Sequence, residues 1–180
     1  MTAFLSLFRG INVGGNHKVK MDDLKAVHEA LGLQDVLPYI QSGNVVFKSN
    51  DTDILQLQKQ IQDSFESKFG FHSEVIVRTS DELSAIVAKN PFQDQPGKEL
   101  KWVAVIFLAT LPATTSQEAL LKAYIGPEEI FFSGKEMYVY YPEGMGRSKL
   151  SHSFIEKKLK TGATARNWNT ILKLQELIQR

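Results

Sequence analysis

Tyr39-Ile-Gln-Ser-Gly-Asn-Val-Val-Phe47 reads as two short apolar strands turned back on each other at Ser42-Gly43-Asn44. Gly and Asn accept the left-handed backbone of a tight reversal, and the β-branched and aromatic residues of 36–41 and 45–48 supply the strands. A second stretch, Phe131-Phe-Ser-Gly-Lys-Glu-Met-Tyr-Val139, also turns at Ser-Gly between two apolar runs. Two hairpins of one kind, one in each half of the chain, direct attention to the order of elements around them.

Outward from the first hairpin, residues 2–8 form an expected strand and residues 22–33 an expected helix with Leu24, Val27, His28 and Leu31 on one face. His28 has no second His or carboxylate at metal spacing, so it reads as a core-edge histidine. Thr52 or Asp53 caps a helix carrying Ile54, Leu57, Ile61, Phe65 and Phe69, ended by Gly70, and residues 72–78 alternate as a strand. The order is βαββαβ. Residues 80–89 add a short helix, and Asn90-Pro-Phe-Gln-Asp-Gln-Pro-Gly97 is the best linker candidate.

Around the second hairpin the order begins again. Residues 101–108 form a strand, Thr115 or Ser116 caps a helix to Tyr124, and residues 129–132 and 137–141 pair. Ser148 or Ser151 opens a helix to Lys160, residues 163–166 form a last strand, and Asn167 or Asn169 caps a final helix over 171–178. The expected fold is α+β: two ferredoxin-like βαββαβ repeats with antiparallel sheets and a C-terminal helix. The expected division is residues 1–90, a linker at 91–98, and residues 99–180.

At 180 residues and 43% hydrophobic content the chain has ample material for packed cores. It contains no cysteine, which excludes disulfides, zinc-thiolate sites and thiol nucleophiles. The opening run is too short for a signal sequence or a membrane span, so a cytoplasmic location without membrane partners is expected. The net charge of +1 hides an asymmetry. Residues 1–20 hold three Lys/Arg and no acid, residues 145–180 hold eight Lys/Arg and two acids, and the middle is therefore acidic. Convergence of the basic ends would make one positive surface; otherwise they are separate solvated faces.

The richest stretch chemically is Phe8-Arg-Gly-Ile-Asn-Val-Gly-Gly-Asn-His-Lys-Val-Lys-Met21, a basic, glycine-rich link from strand to helix. It is not a phosphate loop of the nucleotide-hydrolysing kind, because Asn16 and His17 follow Gly15 where Lys and Ser/Thr are required. Nor is it a dinucleotide fingerprint. What remains is a loop able to hold a phosphate or carboxylate through the backbone at Gly14 and Gly15 and through Arg9, Lys18 and Lys20, or a connection shaped by its glycines. Pro142-Glu-Gly-Met-Gly-Arg-Ser-Lys149 is a second basic glycine-rich loop before a helix. Ser148 in it is a helix cap before it is a nucleophile, since no nucleophile elbow surrounds it. Arg166-Asn-Trp-Asn-Thr170 sets an aromatic ring among amides and a guanidinium, which suits stacking on a base or sugar, or simply seating the final helix on Trp168. Paired carboxylates and metal-spaced histidines are missing, so no metal or cofactor is expected.

In these words the chain resembles the mainly bacterial domain of unknown function 1697 family: Phe8–Asn16 with Lys18-Val-Lys-Met21, Tyr39–Phe47, Gly146-Arg-Ser-Lys-Leu150 and Thr164-Ala-Arg-Asn-Trp-Asn-Thr170. The resemblance implies a cytoplasmic α+β fold of two ferredoxin-like repeats and no assigned activity. It offers Arg9, Asn12, Lys18, Lys20, Gln41, Asn44, Arg147, Lys149, Arg166 and Asn167 as site candidates, to which the residues themselves add Gly14, Gly15 and Trp168. The expected function is binding of an anionic ligand, a phosphorylated metabolite or nucleic acid, in a basic groove between the repeats. The alternatives are a metal-free enzyme on an anionic substrate, with Asn12, Gln41 or Asn167 polarising it and a Lys or Ser148 reacting, and a protein-interaction module. Oligomeric state is not legible.

Overall fold

Strand β1 (Thr2–Phe8) turns Phe4, Ser6 and Phe8 to one buried face and pairs on both sides, with β3 (Asn44–Ser49) and β4 (Val75–Thr79), both antiparallel. The computed structural model describes residues 1–180. Strand β2 (Gln34–Tyr39) completes a four-stranded sheet in the order β2-β3-β1-β4. Helices α1 (Met21–Ala30) and α2 (Ile54–Phe69) cover one face, where Phe4, Phe8, Val45, Phe47, Val75 and Val77 meet Leu24, Leu57, Ile61 and Phe65. Period-2 strands facing period-3.6 helices leave one apolar layer between them. Helix α3 (Ser80–Ala88) follows β4 directly, held by a capping box in which Glu82 N–H donates to Thr79 Oγ1 and Thr79 N–H to Glu82 Oε2.

The second half repeats this order with β5 (Val103–Leu108), α4 (Thr114–Ala123), β6 (Glu129–Ser133), β7 (Glu136–Tyr140), α5 (His152–Leu159), β8 (Ala163–Asn167) and α6 (Trp168–Ile178). Its antiparallel sheet runs β6-β7-β5-β8, the same order as the first. Ala104, Ile106, Met137 and Val139 pack on Leu120, Ile155 and Leu159. The class is α+β with two four-stranded antiparallel sheets and six α-helices.

The chain separates into two units, Met1–Ala85 with Lys173–Arg180, and Ile86–Leu172. The division runs through α3 and α6 instead of the expected linker at 91–98. That segment is folded: Phe92 is fully buried against Phe131 and Tyr140, and successive turns bond Gln93 to Asn90 and Gln95 to Phe92. A buried aromatic ring holds what the prolines and glycine mark as a loop.

Several local expectations change. The hairpin turns differ in length: Tyr39 pairs with Asn44 across four residues, whereas Ser133 pairs with Glu136 across Gly134-Lys135 alone. Ser42-Gly43 and Ser133-Gly134 therefore occupy different turn positions despite identical letters. Strand β2 starts at Gln34 and is irregular between Gln34 and Leu37, with Asp35 at φ 49°. Helix α4 begins at Thr114 with no side-chain cap, so neither Thr115 nor Ser116 serves. Ser151, not Ser148, caps α5, and Asn167 caps α6 through Thr170 N–H at 2.9 Å. Asp53 caps α2 by accepting from Gln56 N–H at 3.1 Å. Asp53→Ala is expected to cost about 1 kcal/mol in chemical denaturation.

The outer edges of the sheets are treated unequally. On β4 the outward N–H groups of Val75 and Val77 donate to Gln62 and Gln58, one helical turn apart on α2. On β8 the outward Ala163 N–H donates to Glu156 of α5. Strand β2 carries its irregularity and Pro38, which has no N–H to offer. No such device stands on β6.

Candidate functional site

The loop between β1 and α1 is a built structure. Gly14 and Gly15, at φ +58° and +78°, form a reversal between Val13 and Asn16, whose N–H donates to Val13 C=O. Two consecutive positive φ angles are the reason for the glycine pair. Asn12 N–H donates to His17 C=O, and the His17 ring stacks on Phe71 at 4.3 Å. Ile11 and Val19 anchor the two arms in the core.

Asn12 fastens this loop to the first hairpin. Its Nδ2 donates to Val19 C=O at 3.0 Å and Gln41 C=O at 2.8 Å, and its Oδ1 accepts from Val19 N–H at 2.8 Å. The amide is therefore occupied by backbone, and Asn12 positions the loop instead of contacting a ligand. It does so at φ 54°, a conformation asparagine tolerates better than most residues. Asn12→Ala removes all three bonds and should cost about 2 kcal/mol, read as a lower urea midpoint.

An open cleft of about 820 Å³ lies beside this loop. Gly15, Lys18, Lys20 and Gln41 line it together with Asn12, and Val19, Met21 and Phe69 give it apolar wall. Lys20 is the N-cap residue of α1 and makes no side-chain cap bond, so the first turn of α1 lacks a cap from its own N-cap residue. Free N–H groups there attract negative charge. Asp22 and Asp23 of that turn also line the cleft, which limits how much anionic charge it can accept.

The other expected site residues lie elsewhere. Asn44 is buried and ties its own turn together through Tyr39 C=O and Ser42 Oγ. Arg9 is exposed and uses its main chain to reach Glu74 and Ser73. Gly14 stands at the loop tip. In the second unit Arg147 and Lys149 are exposed beside a short 3-10 turn, Met145–Arg147. Arg166 is buried, donating to Thr164 Oγ1 and Ala165 C=O, and burial lowers its guanidinium to about 10. Trp168 is buried with no partner for its indole N–H, the seat of α6 and not a stacking platform.

Sequence reasoning missed Met21, which read as the end of the basic link, and Phe69, which read only as a helix residue, and it missed a polar cluster in the second unit. The Tyr124 hydroxyl donates to the Glu128 carboxylate, which Ser148 also engages. Burial opposes ionisation of Glu128, but the hydrogen bonds from Tyr124 and Ser148 prevail and hold its carboxyl below the usual range. Burial, then the bond to Glu128, pushes the Tyr124 hydroxyl up. The spacing Tyr124…Glu128 was visible; the approach of Ser148 depends on tertiary folding.

Comparison with known proteins now places the chain. A solved structure, that of conserved bacterial protein SP0830 from Streptococcus pneumoniae, is similar to it at 25% identity over 98% of both chains, with a TM-score of 0.73. No curated protein matches. A family model described as "Protein of unknown function (DUF1697)" matches residues 1–138, well over half the chain, and the chain belongs to that family.

Proposed function

We propose that the first unit is a binding module for a small phosphorylated metabolite, held in the cleft between the basic loop, the Gln41 turn and the start of α1. One observation carries this reading: Lys18 and Lys20 share an open, partly apolar cleft with a helix start that its N-cap side chain leaves unserved. Phe69 and Met21 favour a ligand with an apolar or planar part. Asp22 and Asp23 disfavour a long polyanion, which needs an unbroken basic track. The cytoplasm is the proposed setting, which a cysteine-free chain suits; no helix is long and apolar enough to cross a membrane.

We infer also that the two units are ferredoxin-like duplicates. Equal element and strand orders support this. So do Arg78 and Arg166, each buried one residue before a capping Thr79 or Asn167 and each donating to the carbonyl of its preceding residue.

The test is calorimetric titration with sugar phosphates, mononucleotides and a single-stranded oligonucleotide at low and high salt. A mononucleotide or sugar phosphate is expected to bind with shallow salt dependence, and Gly15→Val, which puts a side chain at the cleft, should weaken it at least about tenfold, more than Lys18→Ala does. Steep salt dependence with loss at Lys18→Ala for every oligonucleotide would replace the metabolite by nucleic acid. Binding by both folded variants equal to wild type would make the loop purely structural.

A further inference from the structure

Strand β6 is the edge that the fold leaves open. The other three outer edges carry a device: glutamines of α2 on β4, a glutamate of α5 on β8, and an irregular backbone with Pro38 on β2. Strand β6 pairs with β7 in unbroken register from Glu129 to Ser133 and has no strand on its other side. Such an edge is a template for another strand.

The hydrogen-bond parity of β6 follows from its neighbours. Leu108 N–H donates to Lys135 C=O and Tyr141 N–H to Trp102 C=O, so the odd-numbered residues of β7 face β5 and the even-numbered ones face β6. Glu136, Tyr138 and Tyr140 thus bond Ser133, Phe131 and Glu129. The N–H and C=O groups of Ile130 and Phe132 point out of the sheet. Phe131, at 46% exposure, lies at the centre of the strand.

We propose that β6 pairs antiparallel with β6 of a second copy of this chain about a two-fold axis at Phe131. That axis sets Ile130 opposite Phe132 of the second copy, and Phe132 opposite its Ile130, so both outward-facing residues make both of their bonds, four in all. Moving the axis to Ile130 or Phe132 keeps only one such pair within the strand. The strand is self-complementary in hydrogen bonding about the axis at Phe131, and the two exposed Phe131 rings meet at its centre, which is why a second copy fits it. Two four-stranded sheets become one of eight.

Sedimentation of the full chain over low-micromolar to sub-millimolar concentration tests this. A reversible dimer is expected. Ile130→Pro removes an outward N–H while sparing the ladder to β7, and should raise the dimer dissociation constant at least about tenfold, as should Phe131→Arg; circular dichroism confirms that each is folded. Because the chain has no cysteine, Phe131→Cys gives a single thiol. At a non-hydrogen-bonded two-fold pair the Cα atoms are about 4.5 Å apart, within disulfide reach, so mild oxidation should cross-link Phe131→Cys while Ser133→Cys, opposite Glu129, stays monomeric. A monomer at every concentration, or equal cross-linking at both positions, overturns the proposal.

Discussion

Gly43→Ala is expected to destabilise the first unit by about 3 kcal/mol, the sum of backbone strain and overpacking. Gly43 sits at φ +86°, and a Cβ there would stand 2.5 Å from Ile11 Cδ1 and 2.9 Å from Phe8 Cβ. Neither neighbour can retreat cheaply, because Ile11 is 1% exposed and Phe8 is fully buried. The main chain of Gly43 is also engaged: its C=O accepts from Phe8 N–H at 2.9 Å. Gly14→Ala is the control. Its backbone is equally left-handed at φ +58°, yet a Cβ there meets nothing within 4 Å, so only the strain of about 1 kcal/mol remains. Urea denaturation of both variants measures the difference. Equal losses would show that contact with Ile11 is relieved without cost, and that the hairpin and basic loop are less tightly joined than their geometry implies.

Acid should weaken the protein through His28 before its carboxylates titrate. His28 lies fully buried on α1 above Ser6, with Nδ1 at 2.8 Å from Leu24 C=O and Nε2 at 2.9 Å from Ser6 Oγ. Nδ1 can bond that carbonyl only by donating, and because burial keeps the ring neutral, Nε2 then accepts from the serine hydroxyl. Burial lowers it to about 4 from 6.5, against the smaller opposing effect of the Leu24 bond. The unfolded chain therefore binds a proton that the folded chain refuses. Stability from this group is complete above pH 6.5 and declines as pH falls through about 4, a loss of about 3 kcal/mol. Between pH 5 and 6.5 few carboxylates titrate, and the remaining histidines, 17, 72 and 152, are exposed. Denaturation midpoints across that window should slope downward in the wild type and flatten in His28→Leu. A flat wild-type profile would mean that the imidazole is charged or solvated in the fold.

The same two residues show what could be read from the chain before its structure. His28 falls on the apolar stripe of a 3.6-residue pattern, which put it at the core's edge, and the structure buries it fully. Gly43 announces a turn, but the pressure of Ile11 on it comes from residues joined only by folding. Strand and helix order was legible because each element carries its own period and most carry their own end signal, Asp53 and Gly70 among them. The site was legible in one direction only. The basic glycine-rich loop was visible as charge and flexibility, whereas the work of Asn12 was not, since an amide that will be saturated by backbone looks identical to one that waits for a ligand. Arg166 was misleading for the same reason. A guanidinium beside a tryptophan and two amides reads as a ligand contact, and only its burial in the folded strand shows otherwise.

The assignment of Lys173–Arg180 to the first unit bears on how the chain comes off the ribosome. Synthesis delivers every strand of the first sheet early, but Leu177 and Ile178, which line a small cleft with Val36 and Val46, come only after the whole second unit has been made. A nascent chain stopped short of residue 173 holds a paired sheet with that part of its surface uncovered. Contacts so distant in sequence are slow to form and leave apolar surface waiting. The unit that begins first is thus the one completed last, and a fragment ending at residue 172 lacks the residues that finish it.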